Sequence, residues 1–547
     1  MRGVRLLNPQ MCNIVLKTYC RTYCFDGEGG TVKRKVSLIM LLLLSACVFF
    51  SSCARRDVTA HTPLDPMEEA LRDLYSHGYE NVTDEHRGVY IATAYNIDFP
   101  SKAGLDAETL AAELDDIVDT VEAIGANAIY FQVRPNSDAL YSSRLFPISS
   151  YLTGETDGDL PDGFDPLEYL VGTAHKRGIE VHAWVNPLRV TRGSLANPKT
   201  DTDALAENHP ARLSPYMTVE YAGELYYDPG LAEVRALVAA GVSEIVSDYD
   251  VDGVLFDDYF YPYPEKGADG EILEFDDAAT YEMFGGNYEP DDWRRANINS
   301  LIKMCYEAVK EADKNCRFGV APFGIWQNNN GENGGSDTLG MEAYSSIYCD
   351  AIAWAEGGYV DYIAPQIYWS FSQTNAAYDV IADWWNSRLD GTGVELYVSH
   401  AAYRYGTDSW IEAGVVDEMT AQLRYARRLI TYKGSLMYGY AEIKDNIDGI
   451  SEELAATYAD AVVYADPIST GGSVAVVSPA YGSITDEGEI SLYCKSDPTV
   501  TVTYKGEKVS RMKDGSFILD VILKDGKNYF EFYTKYGKYV FMIEKSE

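Results

Sequence analysis

At 547 residues the chain exceeds one ordinary hydrophobic core, and its 46% hydrophobic content excludes wholesale disorder. The balance of 84 acidic against 45 basic residues gives a net charge of −39, a field that repels phosphate backbones and excludes nucleic acid as a natural partner. Its 43 tyrosines suit sheet packing and also the aromatic walls on which sugar rings lie.

In chain order the first signal is for export. Lys33-Arg34-Lys35 precede an apolar run, 36–50, that is short for a membrane span. Leu44-Ser45-Ala46-Cys47 then follows the pattern of a bacterial lipobox, with Cys47 as the lipidated residue and Cys53 as the alternative. Residues 1–31 are foreign to such a signal, so translation is expected to begin near Val32. These features predict an extracytoplasmic lipoprotein on the cell envelope, with 54–86 as a polar tether.

From 87 to 465 short β-branched runs alternate with amphipathic helical stretches. Strands are expected at 88–94, 128–133, 180–185, 253–257, 317–321, 362–367, 395–399 and 435–440. Helical periodicity marks 110–124, 167–177, 231–249, 294–314, 376–387 and 416–431. Eight βα units predict an α/β fold, a (β/α)8 TIM barrel. Long segments after strands three, four and five (186–230, 258–290 and 322–343) enlarge the mouth where active sites of this fold lie. From 466 to 547 alternating strands with turn signals predict a small C-terminal β-sandwich, immunoglobulin-like in texture.

The densest chemistry is Val251-Asp252-Gly253-Val254-Leu255-Phe256-Asp257-Asp258-Tyr259, an apolar strand ending in two carboxylates. Strand alternation predicts that only one of Asp257 and Asp258 faces the cavity, the other holding a loop. Glycoside hydrolysis usually needs two carboxyl groups flanking the bond. The strand map therefore pairs Asp257 or Asp258 with Glu442, just beyond strand eight, and holds Asp138 and Glu265 in reserve. Arg134, Asn136, His182, Trp184, Asn186, Arg189, Tyr259, Gln366, Tyr368, Trp369 and Tyr403 sit at or near strand ends and are the expected sugar contacts. The nine cysteines show no CxxC or Cys/His spacing, so no metal site and no cofactor are expected.

The stretches YFQVRPNSDALY, VHAWVNPLRV, VDGVLFDDYFYPYP, FGVAPFGIW and VDYIAPQIYW resemble the glycosyl hydrolase-like 10 lipoproteins of bacteria, over about 87–448. That resemblance implies a TIM barrel, an envelope location and hydrolysis of peptidoglycan glycan strands lacking stem peptides, with Asp257 and Asp258 as the paired acids. Arg134 and Arg189 are then expected to hold the lactyl carboxylate of muramic acid. Chitinases of family 18 differ: their glutamate falls at Tyr259 here, which leaves acetamido-nucleophile chemistry without its acid. The competing classes are a non-catalytic glycan-binding lipoprotein, an envelope scaffold acting through the C-terminal domain, and a hydrolase of plant or host polysaccharide.

Overall fold

The computed structural model describes residues 85–407, 418–459 and 474–546, less positions 333, 372, 428, 430, 480–482, 497–500, 513, 514, 535 and 536. The expected signal, both candidate lipidation cysteines and nearly all of the tether lie outside the described residues.

Eight parallel strands close into a barrel: β1 (His86–Ile91), β2 (Ala128–Arg134), β3 (Glu180–Val185), β6 (Gly253–Phe256), β7 (Arg317–Val320), β8 (Tyr362–Ile363), β9 (Glu395–Ala401) and β10 (Tyr432–Tyr438). A hairpin, β4 (Thr218–Tyr221) with β5 (Glu224–Tyr227), rises from the long loop after β3. The ring order is β1-β10-β9-β8-β7-β6-β3-β2. Helices α1 (Ala107–Ala123), α2 (Pro166–His175), α3 (Ala232–Asp248), α4 (Pro290–Ala312), α5 (Tyr378–Leu389), α6 (Glu418–Ala426) and α7 (Ile450–Ala459) are the longer ones. Their starts obey local rules: Asp106 caps α1 by accepting from Thr109 N, and Asp165 caps α2 ahead of Pro166.

Several strand ends depart from expectation by a few residues, β1 and β8 among them. β1 begins earlier because Glu85 is buried against Arg427 and Tyr432, partners that no local pattern reveals. β8 is only two residues long, since Pro365 lacks the N–H a central strand requires. The run continues instead through single bridges from Gln366 to Phe323 and Ser399.

The barrel interior is filled by rings. Tyr90, Tyr130, Trp184, Tyr362 and Tyr397 share its core. Tyr362 stacks on Tyr397 at 4.6 Å and Tyr130 on His182 at 4.5 Å. Such bulk requires empty neighbours: a Cβ at Gly319 would fall on the Tyr362 ring, and one at Gly88 on Tyr130 and Leu436. The buried hydroxyls find partners, as they must. Tyr90 bonds Ser399 Oγ at 2.9 Å, Tyr130 bonds His86 Nε2 at 2.8 Å and Tyr362 bonds His182 Nδ1 at 3.1 Å. The floor of the barrel is therefore filled by side chains, and a cavity opens at the C-terminal ends of the strands.

The C-terminal region has a three-stranded sheet of β11 (Val474–Ser478), β13 (Glu489–Ser496) and β16 (Phe517–Ile522). A second sheet holds β12 (Ile484–Thr485), β14 (Thr503–Tyr504), β15 (Glu507–Lys508), β17 (Gly526–Thr534) and β18 (Gly537–Lys545). Val476, Leu492, Cys494 and Phe517 from the first meet Phe530, Phe532, Phe541 and Ile543 from the second in one core. Lys495 of β13 ties this region to the barrel through a 2.6 Å ion pair with the buried Asp379 of α5. Removing one member of a buried pair strands the other charge, so Lys495→Met is expected to cost about 3–5 kcal/mol, read as a lowered urea midpoint.

Candidate active site

At the C-terminal mouth a cavity of about 360 Å³ is lined by Asp257, Asp258, Tyr259, Trp184, Gln366, Tyr368, Trp369 and Tyr403. Tyr90, Tyr263, Ala321, Phe323, Arg404 and Tyr438 complete the wall. Its make-up is that of a sugar site: aromatic faces for C–H surfaces and few polar groups to fix orientation.

Both aspartates line the cavity, which corrects the expectation that only one would. β6 ends at Phe256, one residue earlier than expected, so the pleat no longer dictates where Asp257 and Asp258 point. Donors crowd around them. Asp257 Oδ2 accepts from Trp184 Nε1 and Asn186 Nδ2, each at 3.2 Å, and Oδ1 from Tyr259 N at 3.3 Å. Asp258 accepts from the Tyr263 hydroxyl and the Gln366 amide. Burial, and after it the charge of Asp258, pushes the Asp257 carboxyl up to about 7. Burial raises Asp258 as well, opposed by those two hydrogen bonds. The charge of Asp258 beside it thus favours the protonated form of Asp257. A carboxyl held protonated beside a second carboxyl is the arrangement a general acid would need.

Glu442 is not the second carboxyl of this cavity. It lies on a short helix, Tyr440–Lys444, part-exposed and outside the lining. There it faces Asp98, whose carboxyl is raised to about 7 by burial first and by Glu442's charge in addition. β10 stops at Tyr438, and the following turn carries Glu442 past the rim.

Arg134 is turned away too. A register shift between Gln132 and Arg134 on β2 reverses the parity, and the fully buried guanidinium lies 3.7 Å over the Phe146 ring, beside Gly241 of α3. His182 sits below the cavity, between Tyr362 and Glu180. Asn136 is buried outside the lining. Asp138, raised to about 6 by burial, lines neither cavity described here. Asn186 contributes through its bond to Asp257.

A second cavity of about 490 Å³ shares Tyr259 and Tyr263 with the first and is lined by Arg189, Arg192, Glu224 and the exposed Glu265. The Arg189 guanidinium lies 4.1 Å over the Tyr259 ring and 3.8 Å from Glu224. Its Nε and Nη2, and Arg192 Nε, are buried without a hydrogen-bond partner. Sequence reasoning missed Tyr90, Tyr263, Phe323, Arg404 and Tyr438 as wall residues. Tyr263 carried a signal, since it closes the aromatic run after the acid pair.

Barrel and site together define a glycosidase. The chain belongs to the glycosyl hydrolase-like 10 family, whose model matches residues 85–417. Among curated relatives, it is 40% identical to glycosyl hydrolase YngK of Bacillus subtilis, over 68% of this chain and 71% of that protein. It is 36% identical to glycosyl hydrolase DigH of Escherichia coli K12, over 76% of this chain and 94% of that protein. Among solved structures, the catalytic domain of β-amylase from Paenibacillus polymyxa aligns at a TM-score of 0.43 and 12% identity, covering 69% of this chain and 99% of that one.

Two outcomes follow from a protonated Asp257. Turnover should fall tenfold per unit as pH rises above about 7, and Asp257→Asn should lower kcat by about 10²–10⁴-fold. Stability falls in the same direction but over a lower window: an unfolded aspartate titrates near 3.9, so the wild type loses stability as pH rises from about 4 to 7. The melting temperature of Asp257→Asn relative to wild type should rise across that window.

Proposed function

We propose that this glycosidase cleaves bacterial peptidoglycan glycan strands from which the stem peptides have been removed. The observation that carries the reading is the second cavity, which shares Tyr259 and Tyr263 with the cavity of the acid pair and is walled by Arg189 and Arg192. On a protein of net charge −39, a neutral glycan gives no reason to set a buried arginine, Arg189, and a half-buried one, Arg192, next to the acid pair's cavity. Muramic acid without its peptide bears a free lactyl carboxylate, which guanidinium groups bind through paired N–H donors. The Arg134 contact drops out of this scheme, and Arg192 takes its place.

Location supports the same substrate. The lipobox-like Leu44-Ser45-Ala46-Cys47, with Cys53 as the alternative, would follow a signal peptide and anchor the chain by lipid to the extracytoplasmic face of a membrane, next to the cell wall. The C-terminal sheets would then serve as an immunoglobulin-like spacer. If that anchor is used, globomycin should accumulate a larger, uncleaved lipid-bearing precursor in the membrane, and Cys47→Ala should abolish labelling of the protein by a radioactive fatty acid.

Purified protein incubated with peptide-stripped strands should release soluble fragments, with far less from peptide-bearing strands or neutral polysaccharides. Arg189→Ala and Arg192→Ala should raise KM on stripped strands roughly 10-fold or more each, in line with charged hydrogen bonds of about 1.5–3 kcal/mol. Pull-down without fragments would mean a glycan binder, and equal cleavage of neutral glucans a hydrolase of external polysaccharide.

A further inference from the structure

The wall facing the acid pair holds phenols. In the ring of strands β10 stands four places from β6, diametrically across the barrel, and brings Tyr438 to the cavity. β1 beside it brings Tyr90, and the loop after β9 brings Tyr403. Among the described residues, the only carboxylates lining this cavity are Asp257 and Asp258.

This arrangement does not suit a protein nucleophile. A retaining pair sits about 5–5.5 Å apart on opposite faces of the sugar, and an inverting pair about 6.5–9.5 Å apart. Consecutive residues leaving one strand end reach the ring from one side. They match a different pair of targets: the glycosidic oxygen on C1 and the substituent on C2, which are neighbours on the same sugar.

We propose that the sugar whose bond is cut is a 2-acetamido-2-deoxy sugar whose own acetamido oxygen is the nucleophile, with Asp258 accepting the acetamido N–H and Asp257 protonating the leaving oxygen. This rests on the glycosidase reading of the site and not on the identity of the polymer. In the first step the C1–O glycosidic bond breaks, its electron pair goes to the leaving oxygen, and that oxygen takes the Asp257 proton. The acetamido oxygen bonds C1, and the positive charge of the resulting oxazolinium faces the Asp258 carboxylate. Water then gives a proton to Asp257 and attacks C1 from the vacated face. The C1–O acetamido bond breaks, the amide is restored, and the anomeric configuration is retained. A tyrosine at 259 removes the acid in the chitinase arrangement; here Asp257, two residues earlier, supplies it. Asp257's bonds from Trp184 and Asn186 hold it in place for that role.

The test varies the substrate, so that no variant has to fold. Full-length protein is given peptide-stripped strands with acetamido groups intact, N-deacetylated, or re-acylated with trifluoroacetyl. Intact strands should be cut fastest, and both modified forms on the order of 100-fold slower. A 1,2-fused thiazoline of N-acetylglucosamine should inhibit and raise the melting temperature, and Asp258→Asn should lose that shift while keeping the wild-type fold by circular dichroism. Equal rates on intact and deacetylated strands would overturn the proposal. So would an inverted product anomer, or a covalent sugar adduct on any carboxylate after reaction with a 5-fluoro glycosyl fluoride. Cleavage of chitin oligomers with the same acyl dependence, but not of stripped strands, would sink the peptidoglycan substrate and leave this mechanism standing.

Discussion

Two carboxyl groups from consecutive residues, both almost wholly withdrawn from water, cannot be charged together without a large electrostatic cost. Much of the mouth is arranged around that constraint. Trp184 and Asn186 from β3, and Tyr263 and Gln366 from separate loops, donate to the pair, while Arg189 offsets part of its charge from behind Tyr259. Those neutral donors fix geometry and favour the ionised form, but by less than burial disfavours it. A cation bonded directly to Asp257 would hold it ionised and useless as an acid. Arg189's charge lowers Asp257, but by less than burial and Asp258 raise it.

Most of the barrel was legible because its strands are runs of β-branched and aromatic residues bounded by turns, and the helices between them keep a 3.6-residue period. What escaped is where polar partners lie far apart in sequence. Glu85 and Arg427 are 342 residues apart, and only their meeting explains why β1 starts at His86. The Asp pair was legible as chemistry and misread as geometry, because alternation was carried one residue past the end of β6. Arg134 was misread for a related reason: the shift on β2 turns the side chain outward, and nothing in the local sequence announces it. Glu442 failed as a catalytic candidate because a strand end and the following short helix look alike in a one-dimensional pattern.

The tyrosine-rich composition also acquires a cause. Tyr90, Tyr130, Tyr362 and Tyr397 fill the barrel because glycine at 88 and 319 leaves room for rings, and because each hydroxyl finds an acceptor or donor inside. Of those four, Tyr90 alone lines the cavity. The other tyrosines that line it, including Tyr368, Tyr403 and Tyr438, pack edge-on or stacked against one another, which makes the wall a rigid surface.

That packed floor has a consequence for traffic. With His86, Tyr130, His182, Tyr362 and Tyr397 layered beneath the cavity, no tunnel runs through the barrel. A cut fragment therefore leaves across the mouth and not along the barrel axis. The loops after β3, β6 and β7 that frame this opening thus govern the release of product as much as the choice of substrate.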